Sequence, residues 1–177
     1  MSHVRNNLQE NVTVFQKACD DTVAVYNPRQ LARYTGMQME ELCEKLTAVA
    51  AGGEDGVPVP PELLSLIVEL ESQGKRFKAG DFDRLFVPAN DMQREEMLDA
   101  DVDLAWVSFG SANSIGADVD GAVGKVSQTN LSKVGPDGKV LRDANGKIMK
   151  PPGFTPPDLG SCLYPAAKPV PPAGSVR

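Results

Sequence analysis

The stretch Met39–Leu46, which reads MEELCEKL, places three carboxylates beside apolar residues of helical spacing. On a helix, Glu41 and Glu44 stand three residues apart and share a face, with Glu40 rotated from Glu41 by about 100°. Like charges at this spacing repel each other unless a cation lies between them. Hard divalent cations such as Mg²⁺ are commonly held by a few carboxylates and substrate phosphates. The stretch therefore indicates a site for a divalent cation on a helix.

A second acidic stretch carries Asp99 and Asp103 four residues apart, and a helix would put both on one face, with Glu96 one step back. We predict this helix from about residue 92 to residue 115, and its many apolar and small residues predict that it is the most buried one. Acidic side chains in a buried helix are destabilising unless they are paired or metal-bound. Asp99 and Asp103 are therefore predicted to be functional, since facing helices can hold a metal cluster between carboxylate pairs.

Composition limits the possible functions. The chain has 177 residues, 41% of them hydrophobic, and a net charge of −6, which suits one soluble domain and disfavours binding to a nucleic-acid polymer. No apolar run approaches the roughly 20 residues of a membrane span, and we expect no signal peptide. The three cysteines, with no C-x-x-C pair, favour a reducing, cytoplasmic location. His3 is the single histidine, at an end expected to fray, so histidine-based sites are disfavoured.

Helix start and stop signals predict an all-α bundle of about five helices. Asn27-Pro28 is a helix start, Asn90 or Asp91 starts the second acidic helix, and Asp118 or Asp120 starts the last one. The predicted helices span residues 8–18, 28–50, 61–74, 92–115 and about 119–132. Residues 75–88 are predicted to be irregular.

The C-terminal third is predicted to be mostly non-helical. Asn145-Gly146 between two short apolar segments predicts a small β-hairpin, a ribbon within residues 134–152. Lys147 and Lys150 are interpreted as surface charges of this ribbon. We expect a single domain over residues 1–163, followed by a proline-rich tail, extended or disordered, over residues 164–177.

The residue types indicate metal-assisted attack of water on phosphorus. Lys125, Asn130 and Lys133 lie on or just after the last helix and offer the charge and donors that a di- or triphosphate needs. Without a usable histidine, a carboxylate must take the proton of the attacking water, and Glu40 is the candidate. Trp106, one turn past the acidic pair, could stack on a base or pack in the core.

In combination, E-E-x-x-E at residues 40–44, D-x-x-x-D at residues 99–103 and N-x-x-K at residues 130–133 resemble the MazG-like all-α nucleoside triphosphate pyrophosphohydrolases. The resemblance extends over most of residues 8–160. It implies cleavage of a (d)NTP to (d)NMP and diphosphate with Mg²⁺ or Mn²⁺, about two or three ions per site. It also implies a homodimer or homotetramer with the site near a subunit interface. The resemblance implies these roles: metal ligation by Glu41, Glu44 and Asp103, water positioning or metal contact by Glu40, and phosphate binding by Asn130 and Lys133.

The resemblance is greatest to the phage form, including the MazZ type, which implies dGTP as the lead substrate in the cytoplasm of a host cell. The chain departs from the family pattern at Ala100, where E-x-x-D would place a glutamate, and Asp99 is the nearest substitute for this fourth ligand. The helix at residues 61–74 is interpreted as an insertion. Two alternatives stay open: a degenerate family member that binds nucleotide without hydrolysing it, and a non-catalytic helical interaction module.

Overall fold

The computed structural model describes residues 7–52, 58–86, 90–144 and 146–164. The expected frayed end around His3, and all of the predicted tail except Tyr164, lie outside these residues. The described chain is mostly helical and its strand pairing is limited to isolated bridges, which confirms the all-α prediction. Its five α-helices are α1 (Leu8–Ala18), α2 (Pro28–Ala51), α3 (Pro61–Ala79), α4 (Asp91–Ser114) and α5 (Val119–Leu131), with short 3₁₀ helices at Asp83–Leu85 and Gly160–Cys162.

Side-chain caps begin three of these helices where the sequence predicts. Asn27, Asn90 and Asp118 each accept a hydrogen bond from the backbone N–H three residues ahead, at 3.0, 2.9 and 3.0 Å. Each cap satisfies a backbone donor that the first helical turn leaves unpaired. The positions of α2, α4 and α5 along the chain therefore follow from local chemistry.

The chain divides into two compact units, one of residues 24–94 and one of the residues up to Val23 with those from Glu95 onward. The first unit is organised by the pairing of α2 with α3. Gly36 and Gly74 are both buried at this contact. The prediction that α3 ends at Gly74 is wrong, because this glycine serves helix packing, and α3 continues to Ala79. Gly80, at φ 94°, ends α3 in the left-handed conformation that glycine adopts without strain.

The second unit packs α1 against α5. Ala18 and Cys19 at the end of α1, Ser127 on α5 and Cys162 are its buried residues. The backbone N–H of Asp118 donates to the carbonyl of Cys162 at 2.8 Å, which ties the C-terminal segment to the start of α5. All three cysteines are free thiols.

The predicted β-hairpin is reduced to isolated bridges. Val134 pairs with Val140, and Arg142 with Ile148, but neither bridge extends into a strand within the described residues. The carbonyl of Lys147 accepts from the N–H of Asp143 at 2.9 Å, so the chain does reverse here. So short a ribbon gains too little from pairing to propagate without a packing surface.

The prediction that α4 is the most buried helix is wrong for the single chain. None of its residues is buried, and Trp106 is 79% exposed. Leu98, Val102, Trp106 and Phe109 follow each other at helical spacing and form one exposed apolar stripe. Despite its length, α4 is not apolar enough to cross a membrane, and neither is any other described helix.

Candidate functional site

The carboxylates of α2 occupy the middle of that helix, as the sequence predicts. Glu41 and Glu44 lie on its exposed surface, while Glu40 is half-buried toward α3. Cys43, between them in sequence, is buried and its thiol donates to the carbonyl of Ile67 at 3.5 Å. The apolar side of α2 therefore fixes the helix against α3 and leaves Glu41 and Glu44 facing outward.

Glu41 is the electrostatically perturbed member of this group. Burial of its carboxyl by surrounding atoms raises its pKa, and the charges of Glu44 and then Glu40 raise it further. Desolvation and like charges both disfavour the ionised form. A cation bound beside these side chains would relieve both effects.

A salt bridge joins Glu40 to α3. The ammonium group of Lys78 contacts the Glu40 carboxylate, and both side chains are about one-third exposed. A Cβ atom at Gly74 would lie 3.3 Å from Cγ of Glu40, so the absence of a side chain there leaves room for the Glu40 stem. Lys78 and Gly74 together hold Glu40 in a defined position.

The second predicted carboxylate pair lies on α4. Asp99 and Asp103 are both exposed, and each directly follows a residue of the apolar stripe. The argument that burial makes these aspartates functional does not hold in the single chain, because α4 has no buried residue. Their spacing on one helical face remains as predicted.

The predicted ligands are oxygen donors of the kind that Mg²⁺ and Mn²⁺ prefer. Glu41 and Glu44 lie on α2 in one compact unit, and Asp99 and Asp103 lie on the part of α4 that belongs to the other. Within the described residues, no three His, Cys, Asp or Glu side chains are grouped closely enough to hold a metal ion. The donor chemistry therefore fits a hard divalent cation, while each pair alone would need further oxygens from water or substrate.

The three residues predicted to bind phosphate differ in their surroundings. Lys133 donates to Oδ1 of Asn130 at 2.8 Å, so these two side chains lie together. Lys125 donates to the carbonyl of Asp158 at 3.0 Å, with the Asp158 carboxylate at 3.6 Å and the Ser161 hydroxyl also in contact. The Lys125 amine is therefore engaged by the C-terminal segment.

Lys133 lies among aromatic rings. Its ammonium group is 5.9 Å from the ring centroid of Phe15 and 5.6 Å from that of Phe154. Burial lowers the pKa of Lys133, and the charge of Lys150 lowers it further. Lys150 itself lies 5.2 Å from the Phe154 centroid, so it is more than a ribbon surface charge.

A turn brings Lys150 and Phe154 together. The N–H of Phe154 donates to the carbonyl of Pro151 at 3.0 Å, with Gly153 at φ 78°. Proline followed by glycine with positive φ is typical of a type II turn. The run K-P-P-G-F at residues 150–154 was the sequence signal for this arrangement, although it gave no reason to expect Lys133 on the same ring.

A groove of about 500 Å³ opens between α5 and the segment of residues 151–158. Phe154 lines it together with Gln128 and Thr129 of α5, and Lys125 and Asp158 also contribute. Its size falls in the range of small-molecule sites, roughly 300–1,000 Å³. No sequence pattern indicates that Gln128 or Thr129 faces a groove.

Comparison with family models and with curated proteins finds no match. Among solved structures, the chain is similar to a protein from Exiguobacterium sp. 255-15 that carries the provisional name NTP pyrophosphohydrolase. The two share 24% sequence identity with a TM-score of 0.56, over 86% of this chain and 90% of the other. At this level of identity, the likeness establishes the all-α fold.

Proposed function

We propose that this protein is a metal-dependent nucleoside triphosphate pyrophosphohydrolase of the MazG-like type, which cleaves (d)NTP to (d)NMP and diphosphate. The observation that carries the proposal is the cluster of Glu40, Glu41 and Glu44 on α2, where burial and then the charges of Glu44 and Glu40 raise the pKa of the Glu41 carboxyl. Such crowding is destabilising without a cation. The similar fold of a protein with the provisional name NTP pyrophosphohydrolase supports the same reaction class.

In this proposal, Mg²⁺ or Mn²⁺ is held by Glu41 and Glu44 from α2 and by Asp99 and Asp103 from α4. When bound, the metal would supply neutralisation of phosphate charge and activation of water. The carboxylates of Glu41 and Glu44 on α2 and of Asp99 and Asp103 on α4 are suited to this role because they supply oxygen donors.

In this proposal, other side chains accept the proton of the attacking water and bind the substrate. Glu40, held by Lys78, takes the proton of the attacking water. Asn130 and Lys133, which lie together at the end of α5, hold phosphate oxygens. Trp106, the residue that the sequence offers for stacking on a base, is assigned in this proposal to the subunit interface through α4.

The proposed active form is a homodimer or homotetramer in which a second copy covers α4. The stripe of Leu98, Val102, Trp106 and Phe109 supports this assembly, because four large apolar side chains in a row are 43–79% exposed. Contiguous apolar surface of this kind marks interaction sites in soluble proteins. Asp99 and Asp103 flank the stripe and would lie at the edge of such an interface.

The test is pyrophosphate release from a panel of all common NTPs and dNTPs with Mg²⁺ or Mn²⁺, with EDTA as control. The proposal expects metal-dependent release, with dGTP preferred, as in phage nucleotide metabolism. Release from many nucleotides would indicate a general role in shaping the nucleotide pool. Silence on the whole panel, while metal still binds, would refute hydrolysis.

Ala100 favours a second candidate function, a nucleotide-binding protein without turnover. The family pattern would place a glutamate ligand at this position, and alanine supplies no oxygen. This candidate predicts nucleotide binding without product, and gain of pyrophosphate release on Ala100→Glu.

A further inference from the structure

Two lysines share one aromatic ring at the end of α5. The ammonium groups of Lys133 and Lys150 lie 5.6 and 5.2 Å from the ring centroid of Phe154. In the part of the chain that the structure describes, neither of them forms an ion pair with a carboxylate. Both charges lie near one ring, and the charge of Lys150 contributes to lowering the pKa of Lys133, so a bound anion would offset their mutual repulsion.

The surroundings of Lys133 strengthen this reasoning. The side chain is half-buried between Phe15 and Phe154, and burial together with Lys150 lowers its pKa. Its hydrogen bond to Asn130, at 2.8 Å, uses one of three donors and leaves the others for a ligand. The geometry is that of a positioned anion-binding group.

The groove beside Phe154 can take the uncharged part of such a ligand. Gln128 and Thr129 line it, and within the described residues their side-chain polar groups have no hydrogen-bond partner. Asp158, the acidic residue of its wall, is offset by Lys125 at 3.6 Å, which reduces repulsion of an anion. A ring for stacking, an amide and a hydroxyl are the groups that recognise nucleosides.

We propose that the surface around Phe154 binds a nucleoside phosphate, with the phosphates at Lys133 and Lys150 and the nucleoside in the adjoining groove, against Phe154, Gln128 and Thr129. The substrate class rests on the proposed function. The assignment adds Lys150 and Phe154 as binding residues, and Gln128 as the side chain that contacts the base.

Binding of the phosphates is tested by isothermal titration calorimetry, in which the full chain is titrated with inorganic tripolyphosphate in EDTA. Lys150→Ala is expected to weaken binding about tenfold, the effect of losing one charge-assisted contact. Lys147→Ala is the matched control, because it removes the same charge from the same segment and Lys147 contacts Asp143 by backbone atoms of its own. Equal affinity in the two variants, or no binding by the wild type, would overturn the assignment.

Binding of the nucleoside is tested by comparing the affinities for dGTP and for tripolyphosphate under the same conditions. The wild type is expected to bind dGTP more tightly, and Gln128→Ala to weaken dGTP several-fold while leaving tripolyphosphate unchanged. Equal wild-type affinity for the two ligands would refute nucleoside binding in the groove. Because EDTA removes the metal, this result is independent of hydrolysis: pyrophosphate release could fail while the groove assignment stands, or the reverse.

Discussion

Gly36 of α2 and Gly74 of α3 lie against each other, backbone to backbone. A Cβ atom at Gly36 would lie 2.6 Å from the carbonyl oxygen of Gly74, and one at Gly74 would lie 3.0 Å from the carbonyl oxygen of Gly36. Only glycine permits so close an approach of two helices. The approach also sets the distance across which Lys78 reaches Glu40, so helix packing and the candidate site share one geometry.

Gly36→Ala is expected to destabilise the protein by about 1–3 kcal/mol, the usual effect of overpacking. The added methyl group would also meet Cγ of Lys78 at 2.9 Å and Cβ of Phe77 at 3.0 Å, so α3 as a whole must move away. Urea denaturation followed by circular dichroism measures this difference in the free energy of unfolding.

Gly110→Ala is the matched control. Gly110 lies within α4, one helical turn after Trp106, and in the single chain a Cβ atom there has nothing within 4 Å, so the two variants are compared at a concentration where the protein is monomeric. Alanine is favoured over glycine in a helix by about 1 kcal/mol, so this variant should be neutral or more stable. Equal destabilisation by the two substitutions would contradict the close approach of α2 and α3.

Glu41→Gln is expected to raise the melting temperature at pH 7 in EDTA. The pKa of Glu41 is higher in the folded protein than in the unfolded chain, so the folded state binds more protons between the two values. Stability is therefore lost as the pH rises through this window, and the neutral amide avoids the loss. The advantage of the variant should disappear below about pH 4, where the wild-type carboxyl is protonated in both states.

Glu71→Gln is the control variant, for which the expected change in melting temperature has the opposite sign. Lys75 donates a hydrogen bond to the Glu71 carboxylate at 2.6 Å, and this bond and the charge of the lysine lower the pKa of Glu71. The ionised form of Glu71 therefore favours folding, and this contribution to stability is lost as the pH falls. This variant should not raise the melting temperature at pH 7. A gain there as large as that of Glu41→Gln would show that the effect is not specific to the crowded carboxylates.

Local signals determined much of the fold. The caps Asn27, Asn90 and Asp118 start helices where the sequence predicts, because each satisfies a nearby backbone donor. Gly74 was misread as a helix end, since its role depends on a partner glycine 38 positions earlier in the sequence. The exposure of α4 was also missed, because apolar composition does not distinguish a core from a surface that a second chain would cover.

The candidate site was likewise predictable from the sequence only where helical spacing determines it. The shared face of Glu41 and Glu44 follows from helical spacing alone. The salt bridge of Glu40 with Lys78 depends on the packing of α2 on α3, and no periodic pattern encodes it. The meeting of Lys133 with Lys150 at Phe154 depends on the path of an irregular segment, which sequence spacing does not define.

Trp106→Asp is expected to lower the oligomeric state measured by sedimentation velocity. The substitution puts a charge in the middle of the exposed apolar stripe of α4, which the proposed interface would bury. Val25→Asp is the control, because Val25 is 69% exposed and lies outside α4. A monomeric wild type, or the same assembly in Trp106→Asp, would contradict the proposed assembly through α4.

Lys78→Met is expected to lower kcat roughly tenfold with little change in KM, as for loss of a residue that orients a functional carboxylate. Lys78→Arg should restore part of the rate, because it can still contact Glu40. Arg76→Met is the control, since Arg76 lies on the same helix and pairs with Asp81 instead. An unchanged kcat in Lys78→Met would remove Lys78 as a positioning residue.

The most direct test of the central claim is ³¹P nuclear magnetic resonance of the products from dGTP and Mg²⁺, with wild-type protein and Glu41→Gln side by side. The account predicts dGMP and pyrophosphate in equal amounts from the wild type. It predicts no turnover by the variant, which should keep the wild-type circular dichroism spectrum. Orthophosphate with dGDP as the products, or equal turnover by the two proteins, would contradict the account.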